Sequence, residues 1–296
     1  MIMNFPYDTP RTLSSLSEVT YAYKAVVCDL WGVLHDGVSA HRSAVEALMR
    51  YRQTGGCVVL LSNSPRPSAA VESQLRAMGI PSECYNAITT SGDLAQQVMN
   101  SEFTKKRYFH LGPQRDKPTI DGIAALKVDD VVEADVVLCT GLFEDEGLSL
   151  EQHDDVLHKA HSCGIEMICA NPDRVVDYAE RRVYCAGSLA DRYERIGGMV
   201  RWLGKPYDTA YQAVFSQIER HVSGECDLED VLAIGDSLVT DIAGANHYGI
   251  DSLLITEGLH KAELKNHASA GGDDARLQVI CRENDAFPNY SMALLR

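Results

Sequence analysis

The sequence predicts an α/β protein whose mostly parallel sheet is covered on both faces, and two observations carry that expectation. The first is a recurring unit: a short apolar run, a turn rich in polar residues, then a stretch of helical period. Runs such as Ala25-Val26-Val27-Cys28 and Val58-Val59-Leu60-Leu61 do not alternate, so both faces of these strands need cover. The second is that residues able to do chemistry stand directly after such runs. Asp29 follows the first, Ser62-Asn63 the second, and Gly235-Asp236 the run that starts at Val231. Right-handed crossovers bring the carboxyl ends of parallel strands to one edge, where open α/β sheets hold their ligands.

Taken in order, residues 1–24 read as an irregular leader with a short helix over Leu13–Val19, capped by Thr12 or Ser14. A strand over 25–29 runs into a turn holding Gly32, His35, Asp36 and Gly37. Ser43–Thr54 is an amphipathic helix closed by Gly55-Gly56, and 57–61 is the second strand. A helix over Ser68–Met78 stops at Gly79, a residue suited to the left-handed position after a helix. Tyr85–Gly92 reads as a strand leaving the domain. A second α/β rhythm then begins, with strands at Arg107–Leu111, Val136–Thr140 and Ile165–Ala170 and a helix over Ser149–Cys163; Pro113–Pro118 and Phe143–Gly147 are turn-rich breaks. From 196 the first rhythm resumes: Gly204-Lys205-Pro206, a helix over Asp208–His221, a strand over 230–234, a helix from near Thr240 and a strand over 252–256. Gly271–Asp274 reads as a mobile loop and Leu277–Cys281 as an edge strand. Because the first domain has shown only two of its chemical positions when the second rhythm begins, residues 93–195 read as an insert between 1–92 and 196–296.

The formal net charge of −15 disfavours a nucleic-acid surface, which needs a basic stripe. Nine cysteines show no C-x-x-C pair and several sit in apolar runs, so they read as buried free thiols of a reducing compartment. No segment has the apolar length of a membrane span, and Met1–Asp8 carries no basic or long apolar leader; the expected location is the cytoplasm, without membrane contact.

Asp29, then Ser62, then Lys205, then Gly235-Asp236-Ser237-Leu238-Val239-Thr240-Asp241 resemble the four motifs of the haloacid dehalogenase (HAD) superfamily. The finer resemblance is to its class IIA branch, the NagD-like and 4-nitrophenylphosphatase-like proteins, in a subgroup with an Asp-x-Trp-Gly-Val first motif. It implies a Rossmann-like parallel-sheet core with an inserted α/β cap domain of the class IIA type, of which Asn171-Pro172-Asp173 and Cys185-Ala186-Gly187-Ser188 resemble landmarks. It also makes a homodimer through the cap an expectation.

The activity implied is hydrolysis of a small phosphomonoester, a sugar or nucleotide phosphate, through an aspartyl-phosphate. Asp29 is the expected nucleophile, and Lys205 the compact positive charge beside it. Ser62, Asn63, Gly32 and Lys205 are expected around the phosphate. Mg²⁺ takes oxygen ligands; Asp29, Asp236, Asp241 and, by the resemblance, the backbone carbonyl of Trp31 are expected to hold it. None of the ten histidines is given a metal role. Loops at Thr140-Gly141 and Gly187-Ser188-Leu189 are the expected substrate contacts, while Asp191, Arg192 and Arg195 read as a solvated helix face.

Trp31 departs from the pattern. Phosphatases of this superfamily mostly carry Asp-x-Asp, the second Asp moving the proton of the leaving alcohol, and an indole cannot exchange protons at neutral pH. The expectation is weakened or altered catalysis, with His35 and Asp36 as candidate replacements. A non-catalytic protein that binds a phosphorylated metabolite is the alternative. A metal-free dehalogenase, suggested by an aromatic at this position, has no use for the paired acids Asp236 and Asp241.

Overall fold

A computed structural model describes residues 9–143, 149–178, 181–265 and 272–296. Among the described residues, fourteen strands and ten helices alternate along the chain. They are β1 (Arg11–Thr12), β2 (Ala25–Cys28), α1 (Arg42–Gln53), β3 (Cys57–Ser62), α2 (Ser68–Ala77), β4 (Ala87–Thr90), α3 (Ser91–Glu102), β5 (Arg107–Leu111) and α4 (Lys117–Asp121). Then come β6 (Leu126–Val128), β7 (Val136–Cys139), α5 (Asp154–Ser162), β8 (Glu166–Cys169), β9 (Val175–Tyr178), β10 (Arg181–Tyr184), α6 (Ala186–Arg195) and β11 (Val200–Trp202). The chain closes with α7 (Asp208–His221), β12 (Val231–Gly235), α8 (Ala243–Tyr248), β13 (Asp251–Ile255), α9 (Lys261–Lys265), α10 (Gly272–Glu283) and β14 (Tyr290–Met292). The fold is α/β, as the non-alternating runs required.

Two compact units result. The first comprises Met1–Leu61, Leu75–Ile88 and Tyr211–Arg296, the second Ser62–Gln74 and Thr89–Ala210. A seven-stranded sheet runs in the order β1-β14-β13-β12-β2-β3-β4, and its pairings from β1 through β3 are parallel. At its centre Val26 and Val27 of β2 lie between Val58 and Val59 of β3 and Leu232 and Ala233 of β12. All four residues of β2 are buried, so each face is covered and no polar side chain is tolerated until the strand ends.

The second unit holds a five-stranded parallel sheet, β11-β8-β7-β5-β6. Its core includes Phe109, Val137, Met167, Leu189 and Tyr193. An antiparallel hairpin, β9–β10, which the sequence reading did not foresee, also belongs to it.

The expected insert, 93–195, lies within the second unit, which also takes in Ser62–Gln74 and runs from Thr89 to Ala210. Gly197-Gly198 reads as a domain joint, but Gly197, at φ +95, turns the chain from α6 into β11, which pairs with β8. The β8–α6–β11 passage is one more crossover of the second sheet. At the other end, the loop after Ser62 packs in the second unit: Thr119 donates to the Pro65 carbonyl at 2.6 Å, and a Cβ on Gly92 would overlap the Pro65 and Arg66 backbone.

Three expectations are corrected. Leu277–Cys281 is no edge strand but the middle of α10: Leu277, Ile280 and Cys281 bury one helical face against Leu238, Ile242 and Leu254, while Val279 is exposed. Gly272, read as part of a mobile loop, opens that helix; Gly271 lies outside the described residues. The sheet edge is formed instead by β14 and β1. The leader helix over 13–19 shrinks to a tight turn at Leu16–Glu18, capped by Ser15 in reciprocal bonds with Glu18 rather than by Thr12 or Ser14. The expected turn at Phe143–Gly147 lies almost wholly outside the described residues.

Candidate active site

Three aspartates meet in the first unit. Asp29 directly follows β2, and its N–H donates to the Ile234 carbonyl at 2.8 Å, carrying the β2–β12 ladder one step beyond the strand. Asp236 directly follows β12, and Asp241 lies on the wide helical turn Leu238–Ile242 that leads into α8. All three are buried, and one oxygen of each lies within 4.8 Å of the others. Three ionised carboxylates at that spacing repel by about 3 kcal/mol per pair at an effective dielectric near 20. Backbone donors offset part of this: Leu259 N–H to Asp236 Oδ2 at 2.8 Å and Ser237 N–H to Asp241 Oδ2 at 3.1 Å. Neither carries a full charge, so the arrangement suits a cation.

The donor set fits a hard divalent ion. It is made of oxygen alone, and the backbone around it is pared down to admit carboxylates. A Cβ on Gly32 or on Gly258 would overlap Asp236, and one on Gly235 would overlap Asp241. Gly32, at φ +78, adds a left-handed turn that a side chain would resist.

Trp31 is fixed by its own loop. Its ring meets His35 edge to face, with centroids 5.3 Å apart and planes at 76°. Gly32 N–H donates to the His35 carbonyl at 2.8 Å, and His35 Nδ1 accepts from Gly37 N–H at 3.1 Å. Asp36 is held within the same turn. Its exposed carboxylate braces the turn, accepting from Val38 N–H at 2.9 Å and Ser39 N–H at 2.7 Å, and those bonds lower its pKa below the usual carboxylate value. His35 is buried beside Trp31.

Ser62, Asn63 and Lys205 belong to the second unit. Ser62 is the last residue of β3, and its Oγ accepts from Ser64 N–H at 3.1 Å, tying the first turn of the loop. Asn63 and Lys205 are both buried and joined through the Lys205 backbone.

The cap-like positions divide. Thr140 is buried, and its hydroxyl is engaged with His110 Nε2 at 2.9 Å. Asp191 is held by Arg174, at 2.8 and 3.1 Å, and Arg192 by Asp154, as a solvated face of ion pairs requires. Arg174 also lies 4.8 Å over the Trp202 ring, which stacks on Tyr207.

The sequence reading missed the loop that supports Asp236. After β13 the chain turns through Gly258 and Leu259 to His260. There His260 Nε2 accepts from Leu238 N–H at 3.2 Å and Nδ1 donates to Glu263 at 2.8 Å. The signal was available in Glu257-Gly258-Leu259-His260, a glycine-containing turn at the same end of a strand neighbouring β12.

Strand order, buried acids and glycine clearances together define an α/β protein with a carboxylate cluster at the carboxyl end of its central strands. Sequence and structure comparisons agree. A family profile described as haloacid dehalogenase-like hydrolase matches residues 26–123, and a HAD-hydrolase-like profile matches 202–276. The chain is 34% identical to a haloacid dehalogenase-like family hydrolase from Brucella suis 1330, covering 96% of this chain and 100% of that one with a TM-score of 0.84. It is 26% identical to the ribonucleotide monophosphatase NagD of Escherichia coli (strain K12) over 80% of this chain and 88% of the relative. A 4-nitrophenylphosphatase from Thermotoga maritima shares the fold, with a TM-score of 0.68 at 21% identity, over 92% of this chain and 95% of that one. The chain belongs to the haloacid dehalogenase-like family of hydrolases.

Proposed function

We propose that the protein is a Mg²⁺-dependent phosphatase acting on a small phosphomonoester of the sugar- or nucleotide-phosphate class. The observation that carries this reading is the buried Asp29, Asp236 and Asp241 cluster, and its sequence relative NagD, named a ribonucleotide monophosphatase, supports the substrate class. Asp29, Asp236, Asp241 and the Trp31 carbonyl would hold the ion, which when bound supplies positive charge against the phosphate dianion.

An Asp29 carboxylate oxygen attacks phosphorus; the P–O bond to the leaving group breaks, and the leaving oxygen takes a proton from solvent. Water then cleaves the aspartyl-phosphate, returning Asp29 and releasing inorganic phosphate. Ser62 donates to a phosphoryl oxygen, and Lys205 stabilises the charge spread over the transferring group. Residues of the Leu30–Asp36 turn supply no carboxylic acid for the leaving alcohol, since Asp36 is ionised and bound to its own turn. Leaving groups that need no proton are therefore favoured.

That same loop favours a second reading, a protein that binds a phosphorylated metabolite without hydrolysing it. One experiment separates the two. The protein is assayed with 4-nitrophenyl phosphate and a panel of ribonucleoside monophosphates and sugar phosphates, with Mg²⁺ or with chelator, beside Asp29→Asn. Metal-dependent phosphate release abolished in Asp29→Asn establishes the phosphatase. Saturable binding of a phosphorylated compound by calorimetry with no release establishes the binder.

A further inference from the structure

We infer that Asn63 is a positioning residue for Lys205 and spends its whole side chain on that task rather than on phosphate; the inference rests on the phosphatase reading above. An asparagine amide offers two N–H donors and a carbonyl oxygen with two lone pairs. Asn63 Oδ1 accepts from Lys205 N–H at 2.7 Å, and Asn63 Nδ2 donates to the Lys205 carbonyl at 3.1 Å. The second donor goes to Asp173 Oδ1 at 2.9 Å, and Ser91 Oγ approaches Oδ1 at 3.5 Å. Donors and lone pairs are thus used within the protein. The amide cannot be turned over, because Lys205 presents a donor to one end and an acceptor to the other.

The surroundings are shaped for this clamp. Asn63 is 3% exposed and Lys205 4%, so water cannot stand in for either partner. Gly204, at φ +123, has no side chain where one would strike Asn63 Oδ1, Ser91 Oγ and Pro172. Three separate stretches therefore converge on one amide: the turn after β3, the Gly204-Lys205 turn and the Asn171–Asp173 segment after β8. Asp173 is itself set by its N–H donating to Asn171 Oδ1 at 3.1 Å. A lysine acts on a phosphoryl group as a point charge at the end of four methylenes, so its effect depends on where its backbone is held. Gripping N–H and C=O of the same residue fixes that origin in both translation and rotation.

The test is a double-mutant cycle read in turnover of 4-nitrophenyl phosphate and, in parallel, in thermal midpoint. Asn63→Ala should lower kcat by on the order of 10–100-fold and leave KM within about threefold. In a Lys205→Met background the same change should cost no further turnover, while lowering the melting temperature as it does in wild type. Should Asn63→Ala not fold, Asn63→Asp keeps the acceptor for Lys205 N–H, removes both donors and is read in the same cycle. A folded Asn63 variant with wild-type kcat, beside an impaired Lys205→Met, overturns the clamp alone, as does a fully additive cycle. A Lys205→Met protein as active as wild type overturns the reading of the site on which the clamp depends.

Discussion

Gly37 stands where it does because the Trp31 indole fills the space its side chain would need: a Cβ there would overlap the far edge of the ring. Trp31 is therefore a packing residue of its loop, and its replacement has two opposed effects. Trp31→Asp supplies a carboxylic acid near Asp29 and should raise turnover of alkyl phosphates by up to about 10². It also empties the space between Gly37 and His35, so the melting temperature should fall. Gly37→Ala, which forces a methyl into the indole at φ +90, should lower stability by about 1–3 kcal/mol without supplying any acid. Turnover of aryl and alkyl phosphates, measured with thermal midpoints, checks the account. A folded Trp31→Asp protein no faster on alkyl esters, together with a wild type indifferent to leaving group, would refute it.

Removing one charge from the acid cluster should weaken metal binding. Asp236→Asn retains an oxygen but loses a carboxylate, and Mg²⁺ affinity should drop tenfold or more, about 1.4 kcal/mol at the least. Isothermal calorimetry of the unmodified protein and the variant decides it; equal affinities would dismiss Asp236 as a ligand.

The loop that presents Leu259 N–H to Asp236 is anchored through His260, which grips the Leu238 amide. Loss of such outer partners typically costs 10–100-fold in metal affinity. His260→Ala should lower Mg²⁺ affinity about tenfold and speed hydrogen exchange at the Leu238 and Leu259 amides. Because glutamine offers both an acceptor and a donor, His260→Gln should recover most of the loss. Unchanged exchange at both amides in the alanine variant would rule the anchor out.

His110 gives the protein an acid limb of instability. Burial, with a smaller push from Lys127, takes its pKa from 6.5 down to about 4 in the folded chain, while its ring nitrogen bonds Thr140. The unfolded chain binds the proton first as pH falls. Stability is thus full above about 6.5 and is lost progressively down to about 4, near 2 kcal/mol of it between pH 7 and 5. His110→Gln, which does not titrate, should show a correspondingly shallower decline in urea midpoint over that interval. Parallel curves for the two proteins would show that another group sets the limb.

The strands whose ends hold the candidate residues were legible because burial on both faces leaves a non-alternating apolar run, and a polar residue ends it. Asp29, Ser62 and Asp236 each follow that grammar. What the sequence could not show is what a side chain is committed to. Asn63, read as a phosphate contact, is engaged with Lys205 and Asp173, partners 142 and 110 residues away. Asp36, read as a proton source, is bound to its own turn. Short apolar runs also misled where both periods fit: Leu277 to Cys281 has the length of an edge strand and the spacing of a helix face. Glycine pairs likewise mark a turn without saying whether the next strand joins the old sheet or a new one, hence the extra strand at Val200–Trp202.

The register at the centre of the seven-stranded sheet also sets an order of events during synthesis. Cys28 of β2 waits for Ile234 of β12, whereas every strand of the five-stranded sheet lies between Arg107 and Trp202. The second sheet is translated in full before the first can close. Throughout that interval the Val26-Val27 edge of β2 has no partner on one side, and an unpaired apolar edge is a template for other chains. A chain grown only as far as Asp230 therefore holds every strand of the second sheet but still lacks the β12 partner of β2.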